Sequence, residues 1–158
     1  MKHSLRFLAF SITLLGAISC NDGYDGPKPN PNPTTITFRA TLNGANERPT
    51  PVTTDAMGTA TVTFNNSTKM LTVSSGTYTG MTATASHIHG PATTEQTASP
   101  VITLTASNGT LTGSAALTTA QEADLKAELY YINVHSATYT GGEIRGQLLK
   151  YVAPGGGY

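Results

Sequence analysis

The stretch ASHIHGPA (residues 85–92) decides how the chain is read, together with its distant counterpart YYINVHSATYTGGEIRG (residues 130–146). Apart from His3, these two stretches hold every histidine in the chain: His87, His89 and His135. In an extended segment successive side chains alternate faces, so His87 and His89 share a face and Ile88 takes the other. In YYINVHS the apolar Tyr130, Ile132 and Val134 form one face, which leaves Tyr131, Asn133 and His135 on the opposite one. After the turn at Thr140, Gly141 and Gly142, the run EIRGQLL alternates again. Ile144 and Leu148 are expected in the core, with Glu143, Arg145 and Gln147 on the other face. The expectation is that the two histidine strands and the Glu143/Arg145 strand bring their polar faces together.

Composition bounds the alternatives. A chain of 158 residues supports one core with extensions. Charged residues make up 11 % of it, the formal net charge is zero, and no block of like charges occurs, so nucleic acid is not an expected partner. Threonine, glycine and serine are abundant, Trp is absent, and Leu, Glu and Lys are sparse, which points to an all-β domain. With Cys20 as the single cysteine, no intramolecular disulfide can form.

The amino terminus carries a different message. Lys2 and Arg6 precede an apolar run over residues 5–18 and small residues before Cys20, the layout of a signal peptide over residues 1–19. Ala17-Ile18-Ser19-Cys20 resembles a bacterial lipobox, with Ala17 where Leu is usual, so Cys20 is the expected lipidation site. This implies a lipid anchor in the bacterial cell envelope, periplasmic or at the cell surface, with the membrane as a partner. Removal of the leader takes away Lys2 and Arg6 and leaves a mildly acidic chain. Residues 20–34 then form the lipidated cysteine and a Pro/Asn-rich tether, whose polyproline-like part reaches about 40 Å at ~3.1 Å per residue.

From residue 35 to 152 the pattern is that of short strands. Ile36, Phe38, Ala40 and Leu42 alternate with polar residues. A hairpin is expected from residues 58–65 and 69–75, turning at Asn65, Asn66 and Ser67. Residues 76–80 are expected as a turn-rich connection and 81–89 as the first histidine strand. Asn108-Gly109 marks another hairpin between residues 101–105 and 110–117. Thr119 with Glu122 fits a capping box for one short connecting helix over residues 119–128. The closing strands are 129–135 and 143–152, and 153–158 are a flexible tail. About eight short strands with frequent turns make a Greek-key β-sandwich or flattened barrel the expected fold.

The series FRATLNGANERP, SHIHGPA and TAQEADLKAELYYINVHSATYTGGEIRGQL resembles the CHRD domain family over residues 35–152. Its distinctive pieces are HIHG, the Y-x-N-V-H strand and GGEIRGQL in that order. Arg48-Pro49-Thr50-Pro51 stands where the family usually has a Pro-Pro pair. The resemblance implies an immunoglobulin-like β-fold and a non-catalytic extracellular binding or adhesion module, with a protein or other extracellular ligand as partner. A weaker similarity is to the copper half of Cu/Zn superoxide dismutase, also a Greek-key protein. It implies that His87, His89 and His135 match copper ligands and that Arg145 stands near the anion-guiding arginine. No bridging histidine, zinc-loop set or disulfide pair accompanies them, so dismutase activity is not expected.

Three imidazole nitrogens with an open position suit copper or zinc, and Asn133, Glu143 or Arg145 would stand in the outer shell. The alternative is a scaffold in which the histidines bond to loop carbonyls and Glu143, and Arg145 pairs with a carboxylate. Other chemistries are poorly supported. No G-x-S-x-G elbow occurs, and nothing fixes the separation of Glu47 from Glu143. Gly155, Gly156 and Gly157 lack the strand and helix of a phosphate loop.

Overall fold

The computed structural model describes residues 34–153. The signal peptide, Cys20, the tether but for Thr34 and the tail but for Ala153 lie outside the described residues. The strands are β1 (Thr35–Asn43), β2 (Met57–Asn65), β3 (Met70–Thr79), β4 (Ala83–His89), β5 (Pro100–Ser107), β6 (Thr110–Thr112), β7 (Ser114–Ala116), β8 (Tyr131–Ser136), β9 (Ile144–Gln147) and β10 (Leu149–Lys150). One helix, α1 (Thr119–Lys126), joins β7 to β8.

All strand pairs are antiparallel and run in the order β1-β2-β3-β6-β5-β4-β8-β9, with β9 returning to β1 through Asn43 opposite Arg145. The sheet is therefore a closed eight-stranded barrel, the flattened-barrel form of the expected all-β fold. Closure leaves short additions at its margin, β7 on β3 and β10 on β1.

Alternation decides what fills the barrel. Phe38, Ala40 and Leu42 of β1, Ala60, Val62 and Phe64 of β2, Ile88 of β4, and Ile132 and Val134 of β8 are all buried in one cluster. An eight-stranded barrel has an interior just wide enough for such side chains. Tyr130 and Leu148 flank β8 and β9 and join the same core, as does Leu125 of α1.

Three local expectations are corrected. Residues 76–79 continue β3 instead of forming a turn, because the strand pairs with β2 up to Met57–Thr79. Gly76 is needed there for space: a Cβ would lie 2.7 Å from Leu111 Cβ. The run 110–117 is two short strands divided at Gly113, one paired with β5 and the other with β3. The helix is capped one residue earlier than expected, by Thr118 with Gln121 in the reciprocal box, and it ends at Lys126.

Alternation does not say what covers the polar faces of β8 and β9, and here Tyr131, Asn133, Glu143 and Arg145 are all buried. The loops over residues 44–56 and 90–99 lie across this outer face. Polar bonds tie them down: Asn46 Nδ2 donates to Arg145 O at 3.1 Å, Arg145 Nη2 to Thr93 O at 3.0 Å, and Thr54 Oγ1 to Glu143 Oε1 at 2.7 Å.

Ile132, fully buried on the inner face of β8, tests the barrel core. Ile132→Ala should cost about 2–5 kcal/mol in urea denaturation. Thr105→Ala, on the exposed face of β5, should stay within about 0.5 kcal/mol of the parent.

Candidate metal centre

The register of β4 against β8 gathers the histidines. Ala85 lies opposite His135, His87 opposite Asn133, and His89 opposite Tyr131. Because side chains two apart share a face, the rings of His87, His89 and His135 converge on the outer side of the barrel beneath the loops. Ring centroids are 5.2 Å apart for His87 and His135, 5.5 Å for His87 and His89, and 6.0 Å for His89 and His135. One ligand nitrogen from each ring can be chosen so that all three lie within 4.8 Å of one another. His89 is buried, while His87 and His135 are partly exposed at the mouth.

Main-chain carbonyls set the ring orientations. His89 Nδ1 is 2.9 Å from Ala98 O and His135 Nδ1 is 3.0 Å from Thr140 O. A carbonyl can only accept, so both Nδ1 atoms carry the proton and both Nε2 atoms present a lone pair. His87 Nδ1 then donates to His135 Nε2 across 3.2 Å. That distance is close to the roughly 3.4 Å expected between two nitrogens of a tetrahedral zinc at about 2.1 Å. His89 Nε2 is buried and has no hydrogen-bond partner. A buried lone pair facing two other imidazoles is what a cation site requires of its ligands.

Burial lowers the basicity of both anchored rings. Desolvation is the main cause for His89 and for His135, with the neighbouring imidazoles adding to it and the carbonyl bonds opposing it. The neutral form, which is the ligating form, is therefore favoured.

The remaining polar residues do other work. Tyr131 stacks on His89 with centroids 5.0 Å apart and planes at 11°. The Arg145 guanidinium lies 3.6 Å from the same ring's centroid. Asn133 Nδ2 donates to Glu47 Oε2 at 3.4 Å, and Glu143 accepts from Thr54. Asn133, Glu143 and Arg145 thus make their hydrogen bonds away from the imidazoles, and the carbonyls of Ala98 and Thr140 hold the rings instead. Arg145 bonds to Thr93 O and packs on Tyr131 where a carboxylate pair was anticipated. Tyr131 could have been found from its place on the polar face of the Y-x-N-V-H strand, whereas Ala98 carries no local signal.

With this geometry in view, comparison with known proteins adds one finding: a family model described as the CHRD domain matches residues 38–148. The chain belongs to the CHRD family. The matched CHRD region runs from Phe38 in β1 to Leu148 beyond β9, so it contains the closed barrel except for the first residues of β1, and all three histidines. At family level this supports a non-catalytic binding module. No curated protein and no solved structure matches the chain.

Glu47 of the CHRD region is the unforeseen buried acid, 3 % exposed. Burial raises its pKa to about 7 against the opposing pull of the Arg145 guanidinium and the Asn133 bond. Glu47 Oε1 and Asn133 Oδ1 are buried acceptors without donors, and a proton on Glu47 adds one. A folded-state pKa above the ordinary 4.5 means the folded chain holds a proton that the unfolded chain releases. This contribution to stability is present in full below pH 4.5 and is lost as pH rises to about 7. His89 and His135 act in the opposite sense, losing stability as pH falls below 6.5. The difference between parent and Glu47→Gln isolates the acid: Glu47→Gln should be relatively more stable at pH 7.5 than at pH 5, read from urea midpoints.

Proposed function

We propose that this CHRD domain is a lipid-anchored, extracytoplasmic binding module without catalytic activity of its own. What supports the reading is a rigid closed barrel whose outer face, roofed by two tied loops, forms a recessed polar site, combined with a leader that ends at a lone cysteine. Lipid at Cys20 and the tether would hold the barrel clear of the membrane in the cell envelope. Cys20→Ser should move the protein from the detergent-phase membrane fraction to the soluble extract. Continued partition with membranes would overturn the anchoring.

A more specific reading has an observation of its own. The three convergent imidazoles, with His89 Nε2 buried and unpartnered, suit one copper or zinc ion. His89 Nε2 and His135 Nε2 already present lone pairs. His87 Nδ1 becomes the third donor once its proton moves to Nε2. The carbonyl bonds of the scaffold alternative serve this reading equally, since a ligating histidine ordinarily anchors its other nitrogen in this way. Protein stripped with EDTA and reloaded with Cu(II) or Zn(II) should retain about one equivalent through gel filtration. Affinity should fall at least about tenfold in His89→Ala and in His135→Ala, with the far-ultraviolet spectrum unchanged. Failure of the parent to retain either metal would defeat this reading and leave the module without a metal.

A further inference from the structure

Across the Tyr131 ring from the histidines, a second feature stands out by its charge. The described residues hold six cationic side chains against seven carboxylates, a slight excess of acid. Four of the six, Arg39, Arg48, Arg145 and Lys150, nevertheless line one cavity of about 400 Å³ between β1, β9, β10 and the two loops. The other two, Lys69 and Lys126, are both paired with Glu122 elsewhere on the barrel.

The pocket cations are not neutralised in the same way. Arg39 is exposed and its guanidinium lies 3.4 Å from the Tyr151 ring centroid, a contact that leaves its N–H groups free to donate. Lys150 is exposed, and its ammonium makes no ion pair among the described residues. Arg145 is 2 % exposed, yet of its five N–H groups the structure pairs one, with the neutral Thr93 carbonyl. A buried guanidinium with spare donors is costly unless something anionic compensates it, and the carboxyl groups near it, Glu47 and Glu95, make no hydrogen bond to it. Arg48 at the rim shows what that group would be. Its Nε and Nη2 grip the two oxygens of Glu95 at 3.0 and 3.1 Å, a two-point fork on a carboxylate that is itself largely exposed. Leu149 and Tyr151 supply an apolar wall beside these donors.

We propose that this cavity is an anion-binding site for a small organic oxyanion, a phosphate monoester or an ionised carboxylic acid. Its charged head is held by Arg39, Arg145 and Lys150, and its apolar body lies against Leu149 and Tyr151. Glu95 competes with the ligand for Arg48 at the mouth. The site is separate from the imidazole cluster and holds whether or not a metal binds there.

Titration of the full chain, stripped of metal and then desalted free of chelator, with phenyl phosphate, benzoate and inorganic phosphate, followed by calorimetry and by amide shifts, tests this. Phenyl phosphate or benzoate should saturate, shifting Arg39, Arg145 and Tyr151 amides. Inorganic phosphate should bind several-fold more weakly because it has no body to place on the apolar wall. Arg39→Gln and Lys150→Gln, both exposed and safe for folding, should each weaken binding about fivefold or more. Glu95→Gln should strengthen it by freeing the Arg48 fork. Lys126→Gln should leave it unchanged. Equal loss in Lys126→Gln would mean diffuse electrostatics and overturn the proposal. So would undiminished binding in the Arg39 and Lys150 variants, or saturation by inorganic phosphate as tight as by phenyl phosphate.

Discussion

The pairing of β4 with β8 is the constraint on which the rest of this structure depends. With Ile88 opposite Ile132, the apolar halves of both strands enter the barrel and the histidines are left outside it. A slip of one residue would send His87 and His89 into a hydrocarbon core and Ile88 out to the loops. The cost of burying imidazoles without partners, added to the loss of Ile88 from the core, makes the observed register strongly preferred. The juxtaposition of three rings far apart in sequence is thus a consequence of hydrophobic alternation. No attraction between the rings is needed to assemble them.

That outcome carries a price at the outer face, where the loops over residues 44–56 and 90–99 bury polar groups that solvent would otherwise satisfy. Most of these groups find main-chain partners: His89 with Ala98, His135 with Thr140, Arg145 with Thr93, and Gln147 with the carbonyls of Ala92 and Glu128. Gly142 belongs to the same arrangement. Its φ of +134° suits glycine, and a Cβ there would come within 2.4 Å of the Asn133 amide, so the turn before β9 can close directly over Asn133. What remains unsatisfied at this face is His89 Nε2, Glu47 Oε1, Asn133 Oδ1 and Gln147 Oε1.

The strands, their faces and the histidine grouping were legible because alternation with period two is a local signal. Tyr130, Ile132 and Val134 could be assigned inward from seven residues alone, and the structure has all three in the core. The limits have equally local causes. Thr118 and Thr119 are both acceptable caps, and only the reach of Gln121 back to the Thr118 amide separates them. Gly76 reads as a turn residue until Leu111 is known to pack against it. The burial of Glu47 and Arg145 was not legible, because alternation says which side chains leave the core but not whether loops from elsewhere will cover them. Loop placement rests on contacts such as Asn46 to Arg145, which join residues far apart in the chain.

Tyr131 links the two recessed sites. His89 faces it from β4 and the Arg145 guanidinium packs on it from β9, so one aromatic ring separates the imidazole cluster from the cationic cavity. An aromatic face is attracted to a cation, and here the cation is held in place by Thr93 O on a roofing loop. The other end of the ring is fixed as well: Tyr131 Oη accepts from Ala98 N, while the Ala98 carbonyl orients His89. Displacing the loop at Thr93 would therefore loosen Arg145, and displacing it at Ala98 would release both Tyr131 and His89. The residues 90–99 loop is mechanically common to both sites. A ligand that pulls on Arg145 or on Arg48, whose Glu95 partner lies on that same loop, acts on the segment that aims His89.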